Sequence, residues 1–270
     1  MDLLTSWKTV PVRNYEEDDD LELNNTEISS EKSDFFSLKP EWIPNSLVTD
    51  LECETLVVSL SASSSALILS NVRLSSQALA SITVKQLDYK KNLTKFNIFL
   101  YELDPDNENI KGTPLLFLDA NKPIHLSQSF EISRLLSEKL QPKRVVIMDS
   151  FEEHDYISLQ PRPQSPFVKY LATSLYKSTF KPPCSELEVP NAIKSVAASL
   201  LTHCETFNIP AIGIFVFQSG DPSNIELQTL TLLESVVFKL VELSNLKLVG
   251  DKDKYSKFIR VTELPISLYL

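Results

Sequence analysis

The sequence predicts an α/β fold: a single three-layer domain with a mainly parallel sheet flanked by helices, preceded by a disordered acidic N-terminal arm and followed by a flexible C-terminal tail. Short apolar runs typical of strands alternate with helical repeats of apolar residues from residue 55 to residue 243. Residues 210–217 are apolar almost without interruption, as strands buried on both faces of a parallel sheet are. We therefore predict an arm at 1–50, a domain at 51–250 and a tail at 251–270.

The predicted arm is rich in charge and poor in residues that could build a core. Glu16 to Asp20 are consecutive carboxylates that repel one another, and residues 22–34 are rich in Asn, Ser and Glu. Four aromatic residues in the arm are interpreted as anchor points against the chain's own domain or against a partner: Trp7, Phe35, Phe36 and Trp42.

The first half of the domain alternates strands with helices. Apolar and β-branched runs predict strands at 55–60, 82–84, 96–101, 115–118 and 144–149. Ser61 to Ser65 precede a short helix at 66–69, and they favour a helix cap over a phosphate site because this turn contains no glycine. A stripe of apolar residues predicts a helix at 127–140. The third and fourth strands lie so close in sequence that we predict one antiparallel pair.

The second half contains a long region with many prolines, from 157 to 190. We predict an irregular crossing there, which is a candidate surface for a partner because long loops in compact domains often contact other molecules. Asn191 is predicted to cap a helix that continues to Phe207. Ser223 and Glu226 have the spacing of a capping box, and the last amphipathic helix follows them from Leu230 to Val241.

Composition limits the classes of function. The net charge is −10 and the isoelectric point is about 4.9. Nucleic acids and membrane surfaces are both negatively charged, so this charge argues against either as a partner. Three cysteines give no disulfide framework, and no residue pattern predicts a metal or a cofactor. The start of the chain lacks the features of a signal peptide. We expect an intracellular protein, in the cytoplasm and with the nucleus as a second compartment.

One loop has residues typical of catalysis. Asp149 ends an apolar strand, and Glu153 and His154 follow it, where α/β enzymes place catalytic carboxylates. A histidine with acidic neighbours can act as a general base or bind a metal. The alternative hypothesis is therefore a hydrolase or nucleosidase-like enzyme using the Asp149–His154 loop. A run of charged residues more often marks a solvated loop, and the sequence contains no Gly-x-Ser-x-Gly and no phosphate-binding glycine loop.

The chain ends in Leu268, Tyr269 and Leu270. An apolar side chain, a phenol and a terminal carboxylate can enter a narrow pocket together, where the carboxylate meets a cation or backbone N–H groups. Pro265 lies just upstream and favours an extended approach. These three residues are the predicted partner-binding site.

Two stretches resemble the proteasome assembly chaperone 1 family. The first is Pro-Pro-Cys-Ser-Glu-Leu-Glu-Val-Pro-Asn at 182–191, with the helix after it and Asn-Ile-Pro-Ala-Ile at 208–212. The second is the ending Leu268-Tyr269-Leu270, which is similar to that family's hydrophobic–tyrosine–any-residue (HbYX) ending. The resemblance is concentrated in residues 182–215.

This resemblance implies a non-catalytic chaperone of 20S proteasome assembly that forms a heterodimer with a related protein, assembly chaperone 2. The heterodimer is expected on the outer face of the ring of proteasome α subunits. The resemblance also implies that the terminal tripeptide enters a pocket between two α subunits. There Leu268 would make the apolar contact, Tyr269 the ring packing and a hydroxyl bond, and the Leu270 carboxylate a pair with a lysine. No catalytic residue and no cofactor are implied. A scaffold with a mobile acidic arm is the remaining interpretation of the residues alone.

Overall fold

The computed structural model describes the greater part of residues 39–259, all within the second of two units that divide the chain between Ser37 and Leu38. The described residues are 39–44, 53–87, 93–103, 106, 115–120, 124–158, 161, 163–240, 242–246, 248, 255–256 and 258–259. Most of the predicted arm and the whole terminal tripeptide therefore lie outside them. The predicted domain boundaries stay predictions.

Nine strands in the described part of the chain form one sheet. In chain order they are β1 (Glu41–Pro44), β2 (Thr55–Ser59), β3 (Ala80–Leu87), β4 (Leu93–Glu102), β5 (Leu115–Asp119), β6 (Arg144–Glu152), β7 (Phe167–Ala172), β8 (Ser185–Glu186) and β9 (Ala211–Gln218). Their order across the sheet is β1-β3-β4-β5-β2-β6-β9-β7-β8. The parallel strands β5, β2, β6 and β9 form its centre.

The α/β class is confirmed, but the sheet is mixed rather than mainly parallel. Four of its strand pairings are parallel and four are antiparallel. The predicted antiparallel pair of β4 with β5 is present. β3 also pairs antiparallel with β4, because residues 88–92 between them are too few for a parallel crossover. β7 adds a further antiparallel pairing beside β9.

Helices cover both faces of the sheet and complete the predicted three layers. Within the described residues they are α1 (Ala62–Asn71), α2 (Leu126–Leu140), α3 (Ser174–Thr179), α4 (Ser195–Thr206) and α5 (Leu227–Val237), and a 3₁₀ turn lies at Glu153–Asp155. Because side chains alternate along a strand, Leu56 and Val58 of β2 join the core beneath α2 and α4, whereas Val57 joins the core beneath α1 and α5. β9 is buried along its whole length, as its apolar sequence predicts.

The predicted irregular crossing at 157–190 is wrong in part, because it contains β7, α3 and β8. Its prolines are grouped at the two ends, at 161–166 and at 182–190. Residues 167–181 between them contain no proline, so they keep every backbone donor that a strand and a helix require. The helical turn of α3 is capped by Thr173, whose hydroxyl accepts a bond from Tyr176 N.

Two predicted helix caps are wrong and one is confirmed. Ser61 caps α1 in a capping box with Ser64. Asn191 does not cap α4, because that helix begins at Ser195. Ser223 does not cap α5, whose N-cap residue is Glu226.

Strand β1 lies within the predicted arm, so its four residues are paired with the sheet rather than poorly ordered. Glu41 to Pro44 form an antiparallel ladder with Ala80 to Thr83 of β3. Trp42, one of the predicted anchor residues, packs half-buried against the core beneath α2 and α4. The anchor is therefore to the chain's own domain. The other three predicted anchors lie outside the described residues.

Candidate functional site

The predicted catalytic residues do not form a hydrogen-bonded set. Asp149 lies on β6 with 8% of its surface exposed, and its Oδ1 accepts a bond from Ser150 N at 2.8 Å. His154 lies on the exposed 3₁₀ turn, with Nδ1 2.9 Å from Glu152 Oε2 and Nε2 3.6 Å from Asp155 Oδ1. Glu153 Oε2 accepts from Ser219 Oγ at 2.8 Å. No bond joins Asp149 to His154, so a relay through these two residues has no geometric support.

The pKa of the Asp149 carboxyl departs from its ordinary value. Burial raises the pKa of its carboxyl to about 7, and the bond from Ser150 N opposes that rise. Carboxyls with a structural role and carboxyls with a catalytic role can both have a raised pKa. A raised pKa therefore supports a catalytic role only where a second catalytic group lies within hydrogen-bonding distance. In the described structure the Asp149 carboxylate is bonded neither to a histidine nor to a serine hydroxyl.

Several serines form a separate hydrogen-bond network near the carboxyl ends of β2 and β6. Ser59 Oγ lies 2.6 Å from Ser64 Oγ and 2.8 Å from Ser65 Oγ. Ser61 Oγ lies 2.8 Å from Ser64 Oγ and 2.9 Å from Ser150 Oγ. The hydroxyls thus bond one another and tie α1 to β2 and β6, which supports the predicted cap over a phosphate site. The sequence signal was the serine run, but it gave no hint that Ser59 and Ser150 belong to the same network.

The segment at 182–191 is attached to the fold by strand pairing, one buried leucine and the contacts of Glu188. Ser185 and Glu186 form β8 on the edge of β7, and Leu187 after them is buried. Glu188 accepts a hydrogen bond from the Tyr156 hydroxyl and pairs with Lys169 Nζ at 3.0 Å. Burial opposes ionisation of Glu188, but the bonds from Tyr156 and Lys169 outweigh it and hold the pKa of this carboxyl below its usual value. The segment is thereby held against the domain.

Asn191 also attaches this segment to the domain, through side-chain hydrogen bonds rather than through the predicted helix cap. Its Oδ1 accepts from Ile157 N at 2.7 Å, and its Nδ2 donates to Ile157 O at 2.8 Å and to Glu188 O at 2.9 Å. The side chain therefore replaces a strand partner for Ile157 and fastens two loops together. We refer to residues 156–158 and 187–191 as the stapled loops.

A groove of about 890 Å³ lies between α2 and α4. Phe130 and Phe207, which are 60% and 63% exposed, are among its lining residues. Small side chains on the facing helices leave the space between them, namely Ser137, Ala198, Ser199 and Thr202. Arg134 at the groove is paired with Glu131 and Glu138, so the lining carries little unbalanced charge. An exposed apolar surface of this kind is typical of contact sites.

Other kinds of site have no counterpart in the described residues. Across that part of the chain, no three His, Cys, Asp or Glu side chains are grouped so that they could hold a metal ion. None of the helices observed there has both the length and the apolar character of a membrane span. The predicted partner-binding residues Leu268, Tyr269 and Leu270 lie outside the described residues, and their role stays a prediction.

Comparison with known proteins defines the family. The family model PAC1, described as Proteasome assembly chaperone 4, matches residues 121–270. This range is more than half of the chain and includes α2 to α5, the stapled loops and the terminal tripeptide. The chain therefore belongs to this family of proteasome assembly chaperones, as the resemblance in residues 182–215 and in the ending implied.

Two curated relatives support the assignment. Proteasome assembly chaperone 1 of Nematostella vectensis is 27% identical over 133 residues, which are 48% of this chain and 49% of the relative. Proteasome assembly chaperone 1 of Danio rerio is 28% identical over 120 residues, which are 44% of this chain and 39% of the relative. The chain thus spans about half the length, or less, of the curated relatives that it matches.

Two solved structures share the fold. Pyrococcus furiosus PbaB, described as an archaeal proteasome activator, superposes with a TM-score of 0.54 at 14% identity, over 82% of this chain and 94% of that one. Pyrococcus furiosus PbaA, described as an archaeal homolog of proteasome-assembly chaperone, superposes with a TM-score of 0.52 at 10% identity, over 81% of this chain and 91% of that one. At such identities the likeness concerns the fold alone.

Proposed function

We propose that this protein is a non-catalytic chaperone of 20S proteasome assembly, which acts with a second, related chaperone on the outer face of the α-subunit ring. The observation that carries the proposal is the family match over residues 121–270. The lack of a hydrogen bond between Asp149 and His154 is consistent with it, because the enzyme hypothesis required those residues to act together. The proposed compartments are the cytoplasm and the nucleus.

The proposal includes docking of the terminal tripeptide into a pocket between two α subunits. Leu268 would fill an apolar site, Tyr269 would pack its ring and bond through its hydroxyl, and the Leu270 carboxylate would pair with a lysine. A single exposed ion pair contributes only about 0–1 kcal/mol, so the tripeptide alone should bind weakly. A second chaperone with contacts of its own would raise the affinity of the pair for the ring, because each bound contact increases the effective concentration of the other.

Truncation of the ending tests this docking. We expect that deleting Tyr269 and Leu270 weakens binding to purified α-subunit rings by about tenfold or more, because the ring packing and the carboxylate pair are lost together. The affinity can be measured by surface plasmon resonance with immobilised rings. Adding residues after Leu270 should weaken binding in the same way, since it moves the carboxylate away from the lysine.

The control is Tyr269→Phe, which keeps the ring and removes only the hydroxyl, and which should bind with an affinity between those of the wild type and the truncated chain. Thermal unfolding of each variant should match the wild type. Equal affinity of the wild-type and truncated chains would remove the tripeptide from the proposal. Failure of the wild-type chain, with or without its related chaperone, to bind α subunits would contradict the proposed function itself.

A further inference from the structure

The stapled loops present two apolar side chains to solvent. Val189 is 85% exposed and Ile157 is 53% exposed. Single exposed apolar residues are common on protein surfaces and require no explanation. These two differ because Asn191 bonds to the backbone of Ile157 and to the backbone carbonyl of Glu188, the neighbour of Val189. The two exposed side chains therefore belong to one structural unit, which we call the apolar tip.

The residues beside the apolar tip are buried or tethered. Tyr156 precedes Ile157 and is 1% exposed, and Leu187 lies two residues before Val189 and is 5% exposed. The Tyr156 ring packs edge-on against Phe167 at 4.9 Å, and it lies 5.2 Å from the ring of Phe217. The tip is thus mounted on an aromatic cluster of the core. A surface that is already ordered loses little conformational entropy on binding, which favours affinity.

The surroundings of the tip are acidic. Glu152 and Asp155 have side chains that are 37% and 63% exposed, and both lie within five residues of Ile157. Within five residues of Ile157 or Val189 the sequence has five Asp and Glu against two Lys and Arg. Lys169, which also lies beside the stapled loops, is mostly buried and paired with Glu188. A second copy of this chain would bring the same carboxylates face to face. The complementary surface is one that surrounds a small apolar pocket with lysine or arginine.

We propose that the apolar tip, Ile157 with Val189, is a second docking element that inserts into an apolar pocket with a basic rim on the α-subunit ring. This inference rests on the proposed function for the identity of the partner. It adds to that function a rigid contact within the folded domain, separate from the terminal tripeptide. The tip would supply the apolar contact, and Glu152 and Asp155 would steer the approach and fix its register.

The apolar part is tested by the double variant Ile157→Ser with Val189→Ser. Both side chains are exposed, and the bonds to Asn191 use only the backbone of Ile157, so the fold should be preserved. We expect binding to purified α-subunit rings to weaken by about tenfold or more. The matched control is Leu93→Ser with Leu227→Ser, which removes two leucines that are 60% and 54% exposed elsewhere on the chain. The control should bind as the wild type does.

The acidic part is tested by Asp155→Lys, with Asp106→Lys as the control that changes the net charge equally. Asp155→Lys should lower the association rate severalfold at low salt and flatten its dependence on ionic strength, whereas Asp106→Lys should have a smaller effect. Unchanged affinity of the double serine variant, with the wild type bound, would overturn the inference and leave the proposed function intact. Loss confined to binding of the second chaperone would overturn it equally. If the wild type binds no α-subunit ring, both the inference and the proposed function fail.

Discussion

Asp149 connects the burial of a single carboxyl to the pH dependence of the whole fold. Its side chain is buried on β6, where its Oδ1 accepts a bond from Ser150 N. Burial raises the pKa of this carboxyl to about 7, far above the ordinary value of about 3.9 that it has in the unfolded chain. The folded state thus holds a proton on Asp149 at pH values where the unfolded state has released it.

This difference predicts how stability changes with pH. The contribution of Asp149 is fully present below about pH 4 and is lost as pH rises through about 7, because the ionised form is penalised only in the folded state. Asp149→Asn keeps an oxygen that can accept from Ser150 N and cannot ionise. We expect it to remove this loss and to be more stable than the wild type at pH 8 by about 2–4 kcal/mol. Urea denaturation at pH 5 and at pH 8 measures the difference.

The control for this prediction is Asp106→Asn, which changes an exposed aspartate. Its unfolding free energy should follow the wild-type pH dependence. Parallel pH profiles for Asp149→Asn and the wild type would show that Asp149 is ionised in the folded protein at neutral pH. In that event the bond from Ser150 N would have to offset more of the cost of burying the carboxylate.

At the scale of elements, the Asn191 side chain makes the hydrogen bonds that a neighbouring strand would make to the backbone of Ile157. It bonds to both backbone groups of Ile157 and to the carbonyl of Glu188, and so joins segments that are far apart in the sequence. Asn191→Ala should lower the unfolding free energy by about 1–3 kcal/mol, because several hydrogen bonds are lost and the backbone groups of Ile157 lose their partner. Urea denaturation monitored by tryptophan fluorescence measures this change.

Asn224→Ala is the matched control, because Asn224 is exposed and its local hydrogen bonds are made by its backbone N and O and not by its side-chain amide. It should change the unfolding free energy by no more than about 0.5 kcal/mol. Equal effects of the two substitutions would show that the Asn191 bonds contribute nothing beyond a surface contact. The rigidity argued for the apolar tip would then lose its basis.

The same elements show what the sequence could predict. Strands and helices with long apolar patterns, such as β9 and α2, were predicted close to their observed bounds because burial alone determines them. β7 and α3 were missed because the surrounding prolines suggested a loop. The contacts of Asn191 and Glu188 were not predictable, since each depends on bringing residues 156–158 beside 187–191. A local signal such as Asn before a helical stripe favours a cap, and only tertiary structure overrides it.

At the scale of the whole molecule, the negative charge is unevenly distributed. Residues 1–38 contain ten Asp and Glu against three Lys and Arg, so they carry −7 of the net charge of −10. The remaining residues carry only −3. Both buried clusters in the described structure consist of residues after Leu38. The sequence therefore separates a strongly charged segment from the segment that supplies the core.

Deleting residues 1–38 should separate association from folding. We expect the unfolding free energy to stay within about 1 kcal/mol of the wild type, because the two buried clusters keep all their described residues. The association rate with α-subunit rings should fall at low salt and lose most of its dependence on ionic strength, since a partner with a basic rim attracts a less negative chain more slowly. Stopped-flow measurements of binding at several salt concentrations give this association rate.

The matched control replaces the acidic run at 16–20 by Asn and Gln, which keeps the length and removes five charges. If the control associates as fast as the wild type while the deletion is slow, the segment acts through specific contacts rather than through its charge.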